Sequence, residues 1–175
     1  MTARDLELRV AGPDDAGDLA AFAEHMFRDT FGADNRPEDM DAYCGAAFAV
    51  ERVRRELADA ARHTVFAMLA GELVGYAQLR AGPPPAFVTG AAPLEILRFY
   101  IARAWHGRGI ADALMAHVID AADQRGARTL YLAVWEHNHR AAAFYARHGF
   151  ARVGSIAFLL GTDPQTDDVM ARAVR

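Results

Sequence analysis

Apolar residues in the first third of the chain recur at every third or fourth position, which is the period of a helix with one buried face. A short alternating segment at residues 7–10 predicts a strand ahead of this region. The helical stripe then predicts a first helix over about residues 14–32. Pro37, a residue type favoured at the first position of a helix, opens a second helical region that we expect to continue to about Ala61.

From residue 63 the apolar period changes from that of a helix to that of strands. Residues 64–69 and 73–80, joined at Gly71-Glu72, predict a hairpin, and the proline-rich residues 82–93 predict a loop. Further predicted elements are strands at 94–102, 129–135, 151–160 and 168–174 and helices at 107–124 and 138–148. These elements predict an α/β protein with a mixed sheet of about seven strands and about four helices. The crossover at 94–135 requires at least two parallel strands.

Composition is typical of one packed domain spanning residues 1–175. The chain is 53% hydrophobic and 24% charged, with a net charge of −4, which gives no general attraction to nucleic acid or anionic lipid. No apolar run reaches membrane-spanning length, and residues 1–10 lack the apolar stretch of a secretion signal, so we expect a cytoplasmic protein. With one cysteine, Cys44, neither an intramolecular disulfide nor a thiolate zinc cluster is expected, and no metal is predicted.

Charge is unevenly distributed along the chain. Residues 1–62 contain 14 acids and 8 arginines, whereas residues 63–175 contain 9 acids and 11 arginines. One interpretation is that these charges lie on solvated helix faces. The other is that the first part meets a cationic partner and the second an anionic one.

A glycine-rich turn links the predicted strand at 94–102 to the following helix. Two glycines before a helix let the backbone approach a ligand closely, and the amides of the first turn favour an anion such as phosphate. The turn is not a Walker loop, because it lacks the Gly-Lys-Ser/Thr ending, and Asp112 occupies the third glycine position of the dinucleotide-binding pattern. A tight connection without a ligand is equally compatible with this segment alone.

A second motif follows the predicted strand at 129–135 and favours the ligand-binding interpretation of the turn. It reads Asn-x-x-Ala-x-x-x-Tyr-x-x-x-Gly-Phe and consists of Asn138, Ala141, Tyr145, Gly149 and Phe150. Together with the glycine-rich turn it resembles the GNAT superfamily of acetyl-CoA-dependent N-acetyltransferases, whose turn reads Gln/Arg-x-x-Gly-x-Gly/Ala. Gly109 and Ala111 match that turn, and His106 departs from it.

Further segments resemble one branch of this superfamily, the PaiA-type spermidine/spermine acetyltransferases. They are Thr30-Phe31, Pro37-Glu38-Asp39-Met40, Ala42-Tyr43, Ala47-Phe48, Val134-Trp135-Glu136, Asn138, Ala143-Phe144-Tyr145 and Gln165-Thr166-Asp167. The resemblance implies the GNAT fold, in which the sheet splays between its fourth and fifth strands. It also implies acetyl-CoA as co-substrate and a small amine, in particular a polyamine, as acceptor, and it leaves a homodimer open.

The same resemblance implies where acetyl-CoA binds. Backbone groups of Phe99, Tyr100 and Ile101 would pair with the pantetheine amides as an added strand does. The pyrophosphate would lie on the glycine-rich turn, formed by His106, Gly107, Arg108, Gly109, Ile110, Ala111 and Asp112. Asn138 would hold pantetheine through its side-chain amide, cap the following helix, or do both.

Two residues are candidates for acid–base catalysis. The phenol of Tyr145 stays protonated at neutral pH and can donate to the leaving thiolate, although a purely packed tyrosine is the alternative. The base is harder to assign, because Leu97 occupies the position where many GNAT enzymes carry glutamate. Glu95 lies two residues earlier, and strand alternation places it on the face of Leu97, Phe99 and Ile101. It would act through water or serve only as a solvated or paired carboxylate.

The first two helices and the final hairpin are expected to recognise the acceptor. Phe31 and Tyr43 would contact its methylene stem or an ammonium group, and Glu38 would contribute negative charge. Neighbouring acids add to that charge and are Glu24, Asp29, Asp34, Asp39 and Asp41. Two further hypotheses stay open: an acetyltransferase for a protein N-terminus or another small amine, and an acyl-CoA-binding regulator without turnover, which Leu97 would suit.

Overall fold

The computed structural model describes residues 5–174, which form one seven-stranded sheet with helices on both faces. The strands are β1 (Leu6–Val10), β2 (Arg62–Leu69), β3 (Glu72–Arg80), β4 (Pro93–Ile101), β5 (Thr129–Trp135), β6 (Ala151–Leu160) and β7 (Asp163–Ala173). The α-helices are α1 (Ala16–Phe31), α2 (Pro37–Ala47), α3 (Val50–Ala58), α4 (Ile110–Gln124) and α5 (His139–Arg147). None of these helices is long and apolar enough to cross a membrane.

The strand order is β1-β2-β3-β4-β5-β7-β6, and only the central β4–β5 pair is parallel. The predicted mixed sheet and its parallel crossover are thus confirmed. β4 and β5 pair only at Pro93–Thr129, Leu94–Leu130 and Glu95–Tyr131. Beyond these positions β4 is paired with β3 alone and β5 with β7 alone, so the two central strands diverge.

Two buried clusters cover the two faces of the sheet. On one face, which we call the α4 face, Leu114 and Val118 of α4 and Tyr145 of α5 pack on strand residues such as Leu130. On the other, the α1 face, the helices α1 to α3 pack on strand residues. That cluster includes Leu19, Phe27, Met40, Val53, Phe66, Tyr76 and Leu160.

The second predicted helical region is divided into two helices, which makes five helices where four were expected. Phe48 ends α2 with its ring buried against Phe27, and Ala49 then adopts an extended backbone (φ −56°, ψ 129°) before α3 begins. This change of direction lets Glu56 accept a 2.8 Å hydrogen bond from Arg98 of β4. The break therefore follows from contacts with the sheet and not from a helix-breaking residue.

Two predicted boundaries are also wrong. α4 begins at Ile110 and not at Gly107, because Gly107 (φ +73°) and Gly109 (φ +79°) have left-handed backbones that a helix excludes. β7 begins at Asp163 and not at Asp168. Its polar first half forms a strand because it pairs with β6 from Leu160 back to Ile156.

Candidate functional site

The divergence of β4 and β5 opens a gap in the sheet, which we call the β4–β5 cleft. One wall is residues 96–101 of β4 and the other is residues 132–135 of β5. The edge of β4 that faces the cleft has no strand partner after Glu95, and it carries Phe99, Tyr100 and Ile101. An extended ligand with amide groups fits such an edge, since it can add to it as a further strand does.

The glycine-rich turn lies where β4 leads into α4. No heavy atom lies within 4 Å of the position that a Cβ would take at Gly107 or at Gly109, so the backbone surface there is open. The first-turn amides of Ile110, Ala111 and Asp112 have no partner inside a helix of 15 residues. Open backbone at the positive end of a helix is suited to bind phosphate groups.

His106, which departs from the family pattern, connects three elements around this turn. The guanidinium of Arg140 lies 2.7 Å from His106 Nδ1 and can only donate, so Nδ1 accepts. His106 Nε2 lies 2.8 Å from the carbonyl oxygen of Ile101, to which it donates in this tautomer, and a second nitrogen of Arg140 lies 3.3 Å from the same Nε2. The imidazole therefore ties the turn to β4 and places Arg140 of α5 beside it.

Other side chains of the turn are also engaged. Arg108 packs its guanidinium over the ring of Trp105 at 5.0 Å, which leaves its charge at the turn. The exposed carboxylate of Asp112 is 2.9 Å from His148 Nε2. Because this contact engages the side chain with the residue that follows α5, the backbone amide of Asp112 is what the turn offers to a ligand.

Asn138 caps α5, as one of its two predicted roles requires. Its Oδ1 accepts a 3.2 Å hydrogen bond from the amide of Ala141. The Nδ2 group is not used by the cap. Capping therefore leaves the side-chain amide able to donate to a ligand in the cleft.

Tyr145 lies on α5 and packs its ring against Phe99 on the wall of the cleft, with centroids 6.3 Å apart. The residue is 8% exposed, and burial raises the pKa of its phenol well above the ordinary value. Among residues 5–174 no group forms a hydrogen bond with its hydroxyl. The phenol is thus held protonated and is available to a ligand.

The predicted alternation of β4 is interrupted by a bulge at Leu97. Ile96 pairs with Leu79 and Arg98 with Gln78, so Leu97 has no opposite residue on β3. Leu94, Ile96, Phe99 and Ile101 all pack on the α4 face. Glu95 therefore points to the opposite, α1 face, and its predicted placement on the face of Phe99 and Ile101 is wrong.

The carboxylate of Glu95 is held by an arginine. Arg80 of β3 donates to Glu95 Oε2 from Nη2 at 2.6 Å and from Nε at 2.8 Å. The Glu95 side chain is 13% exposed. This geometry corresponds to the paired carboxylate that the sequence left open, and the ion pair ties β3 to β4 at the point where β4 and β5 part.

A different carboxylate, that of Asp167, lies at the outer end of the cleft. Asp167 of β7 pairs with Trp135, the last residue of β5, and cross-strand partners share a face of the sheet. The Trp135 ring contacts Phe31 at the end of α1, with centroids 6.0 Å apart, so both residues are on the α1 face. Within the described chain no ion pair or hydrogen bond engages the carboxylate of Asp167.

Burial raises the pKa of Asp167 to about 6, and the negative charges of Asp168 and Glu136 contribute. A carboxyl group that titrates near neutral pH is suited to proton transfer. Sequence reasoning assigned no role to Asp167, although it lies in the Gln165-Thr166-Asp167 motif. An acidic residue inside a strand would have marked Asp167 as unusual. The predicted strand began at residue 168, however, and so excluded it.

The predicted acceptor residues are placed differently from one another. Phe31 contacts Trp135 beside the cleft. Tyr43 stacks on Phe27 at 4.5 Å and contacts Phe158, so it mainly packs in the core under α2. Glu38 is on the surface, its side chain 74% exposed and 3.7 Å from Arg36.

Most of the acids expected to attract a cation are compensated by arginines. Arg28 pairs with Glu24 and Asp41. Arg103 lies 3.5 Å from Asp29. Counting acidic residues along the sequence therefore overstates the negative electrostatic potential at the surface of α1 and α2.

The β6–β7 turn closes against α2 and the loop before it. Thr162 donates to Asp39 Oδ1 from its backbone N at 2.6 Å and from Oγ1 at 2.9 Å. Gln165 Nε2 donates to Asn35 Oδ1 in the α1–α2 loop. These contacts join the β6–β7 turn to α2 and to the α1–α2 loop on the α1 face, beyond the outer end of the cleft.

Comparisons with known proteins agree with this geometry. The sequence profile of the Acetyltransferase (GNAT) family matches residues 20–150. An uncharacterised N-acetyltransferase of Lactobacillus delbrueckii subsp. lactis is 31% identical over 160 residues, covering 91% of this chain and 92% of the relative. The N-alpha-acetyltransferase RimI of Mycobacterium tuberculosis is 40% identical over 101 residues, which are 57% of this chain and 59% of RimI.

Among solved structures, the PaiA N-acetyltransferase of Thermoplasma acidophilum, crystallised with coenzyme A, superimposes with a TM-score of 0.80. It is 18% identical, and the match covers 96% of this chain and 98% of that one. At this identity the likeness concerns the fold, and it confirms the predicted architecture. In residues 5–174 no group of three or more His, Cys, Asp or Glu side chains is arranged to hold a metal ion.

Proposed function

Because the chain belongs to the Acetyltransferase (GNAT) family, we propose that it transfers the acetyl group of acetyl-CoA to a primary amine of a polyamine such as spermidine or spermine. One observation carries the choice of acceptor. Asp167 places an uncompensated carboxylate on the covered α1 face, at the outer end of the β4–β5 cleft. A cationic amine satisfies the charge of this carboxylate.

The residues present fit acetyl-CoA. The free edge of β4 from Phe99 to Ile101 would pair with the amides of the pantetheine arm, and Asn138 Nδ2 would donate to it. The pyrophosphate would lie on the amides of the turn from Gly107 to Asp112, near the guanidinium groups of Arg108 and Arg140. When bound, acetyl-CoA supplies an activated thioester.

The acceptor must lose a proton before it reacts, because an alkyl ammonium has a pKa of about 10.4. Asp167 accepts that proton and passes it to solvent. As the amine nitrogen forms its bond to the carbonyl carbon, the bond from carbon to sulfur breaks and Tyr145 donates its hydroxyl proton to the sulfur. The second proton of the nitrogen replaces, by way of solvent, the one that Tyr145 gave. One proton is released for each ammonium acetylated.

A protein or peptide N-terminus is the second candidate acceptor. The likeness to the N-alpha-acetyltransferase RimI over 101 residues favours it. The acids along the α1 face favour the polyamine, because a polyamine carries cationic groups along its length and a peptide backbone does not. They are Asp167 near the cleft and Asp39 and Asp163 near the β6–β7 turn. The single-domain organisation, the cytoplasmic location and a homodimer stay predictions.

An amine screen tests the proposal. The protein is mixed with acetyl-CoA and, in turn, spermidine, spermine, butylamine or a short peptide with a free N-terminus, and thiol release is followed. We expect the highest kcat/KM with a polyamine. Preference for the peptide would establish the second candidate. Tight binding of acetyl-CoA without turnover on any amine would instead favour the regulator hypothesis.

A further inference from the structure

We propose that the far ammonium group of the polyamine binds a carboxylate pocket between the α1–α2 loop and the β6–β7 turn, and that this pocket selects acceptors with a second cationic end. We call it the distal pocket. Its lining residues are Asp34, Asn35, Arg36, Asp39, Thr162 and Asp163. The inference rests on the proposed function, since it names the part of the acceptor that the pocket holds.

Asp39 is the residue that marks the pocket as a binding site. It is 4% exposed, and its Oδ1 receives both hydrogen bonds from Thr162. These bonds keep the pKa of Asp39 below its ordinary value, so the group is ionised at neutral pH. Its Oδ2 is buried and has no hydrogen-bond partner within residues 5–174. A buried, charged oxygen without a donor is costly, and a ligand with N–H groups would satisfy it.

The charge of the pocket is only weakly compensated by the chain. Arg36 Nε is 3.9 Å from Asp39 Oδ2, beyond hydrogen-bond distance, and the Arg36 side chain is 72% exposed. Asp163 adds a second carboxylate, which receives a 2.9 Å hydrogen bond from Gln165, and Asp34 adds a third. Three carboxylates against one solvated arginine favour a cation with several N–H donors.

Gly161 makes the close approach of turn and helix possible. It has a left-handed backbone (φ +59°), and a Cβ at this position would lie 2.6 Å from the Cα of Asp39. Only glycine fits there without moving α2 or the turn. The contact between the β6–β7 turn and Asp39 therefore requires glycine at position 161.

A line of polar side chains on β7 connects the distal pocket with the cleft. Asp163, Gln165 and Asp167 alternate along the strand and pair with Leu160, Phe158 and Ile156, so all three face α1 and α2. At about 3.3 Å per residue, Asp163 and Asp167 are roughly 13 Å apart along the strand. An extended triamine with nine single bonds of about 1.5 Å each advances roughly 11 Å between its end nitrogens.

This match of lengths assigns the three positions of the acceptor. One terminal nitrogen lies near Asp167 for reaction, and the other reaches the distal pocket. Gln165 lies between them. Its Nε2 donates to Asn35 and Asp163, which leaves Oε1 to accept from the central ammonium.

The double variant Asp34→Asn/Asp163→Asn tests the pocket, because both side chains are exposed and Asp39 keeps its contacts with Thr162. We expect kcat/KM for spermidine to fall by at least tenfold and kcat/KM for butylamine to change by less than twofold. The matched control Glu72→Gln/Asp120→Asn removes the same charge from exposed positions outside the pocket. It should leave both values unchanged.

The outcomes separate the pocket from the proposed function. An equal loss for spermidine and butylamine, or equal kcat/KM for the two amines in the unchanged protein, would overturn the pocket while polyamine acetylation stands. Absence of turnover with every polyamine would overturn the function. In that case calorimetric titration with spermidine decides the pocket. Binding heat that is present in the unchanged protein and the control but absent in Asp34→Asn/Asp163→Asn supports the pocket. Absence of binding heat with the unchanged protein refutes the pocket.

Discussion

Trp135 and Asp167 are direct partners in the antiparallel pairing of β5 and β7, and both side chains lie on the α1 face. The pairing puts an aromatic ring and a half-buried, unpaired carboxylate side by side where the β4–β5 cleft opens. An aromatic face and a negative charge are together suited to receive an ammonium group. This arrangement makes Asp167 the residue on which our mechanistic predictions depend most.

The variant Asp167→Asn should lower kcat/KM for the amine by about 100-fold, because general base catalysis contributes on the order of 10² to 10⁴. In the unchanged protein the rate should rise with pH through about 6, where Asp167 loses its proton. In the variant that rise should disappear. The measurement is kcat/KM between pH 5 and pH 8 with acetyl-CoA saturating.

Asp168→Asn is the matched control for this variant. Asp168 is the next residue of β7, so its side chain faces the opposite side of the sheet, where it pairs with Arg152 at 2.6 Å. Asp168→Asn should keep the rate at neutral pH and keep the rise of the rate with pH. The midpoint of that rise should move to somewhat lower pH, because the charge of Asp168 contributes to the raised pKa of Asp167. If the two variants behave alike, the effect of Asp167 is one of general charge and the base lies elsewhere.

Tyr145→Phe should reduce kcat strongly and leave the affinity for acetyl-CoA nearly unchanged. The substitution keeps the ring that packs on Phe99 and removes only the proton donor. Binding is measured by calorimetry and kcat by thiol release. Tyr131→Phe, also a buried tyrosine, should retain kcat. Unchanged turnover in Tyr145→Phe would assign the residue to packing alone.

Gly109→Asp should abolish measurable binding of acetyl-CoA, because it places a carboxylate at the open backbone where the pyrophosphate would lie. α4 supplies a control with the same backbone strain. Gly126 lies just beyond the C-terminal end of α4. Its φ is +78° and that of Gly109 is +79°, and both residues have open space at the Cβ position.

Gly126→Asp should therefore lose a similar stability, about 1 kcal/mol for a non-glycine residue with a left-handed backbone, and still bind acetyl-CoA. Thermal unfolding measures the first quantity and calorimetry the second. If both variants bind acetyl-CoA as tightly as the unchanged protein, the turn is only a tight connection.

Glu95→Gln should destabilise the fold by about 1–2 kcal/mol and leave the pH profile of the rate in place. The reason is that the variant leaves Arg80, which is partly exposed, without its anionic partner. Urea unfolding measures the stability loss. A displaced pH profile with normal stability would instead make Glu95 the base, the other role that the sequence allowed.

His63 should make the fold sensitive to acid. Burial, together with the positive charges of the neighbouring Arg125 and His117, lowers the pKa of His63 from 6.5 to about 4. Between these two pH values the unfolded chain binds the extra proton, so stability falls as the pH drops from 6.5 towards 4. After allowance for solvent screening the loss is about 1–2 kcal/mol.

The test compares urea unfolding of the protein and of His63→Gln at pH 7 and pH 4.5. Asp167 has a raised pKa, so its protonation stabilises the fold as the pH falls and opposes the effect of His63. Because Asp167 is present in both proteins, the difference between their stability losses reports on His63 alone. An equal pH dependence in the two proteins would refute the assignment.

Local sequence patterns are enough to predict the order of the strands, the parallel crossover and the glycine-rich turn before α4. These features depend on local causes. Apolar period sets which face of a segment is buried, and the left-handed backbones of Gly107 and Gly109 need no distant partner. The N-cap formed by Asn138 is equally local, because donor and acceptor are three residues apart.

Other features depend on contacts between segments that are far apart in the sequence. The bulge at Leu97 depends on the register with β3, and it reverses the face that Glu95 presents. The split between α2 and α3 depends on where Phe48 and Glu56 find their partners. Strand and helix boundaries of this kind follow from pairing energy and not from the propensity of the residues themselves.

The same distinction explains the charges. A count along the sequence identified an acidic first part, but it did not show that Arg28 and Arg103 neutralise much of it. Nor did it show that Asp167 would be half-buried without a partner. The effective charge and pKa of a side chain depend on burial and on neighbours from other strands and helices, and only the folded chain brings those together.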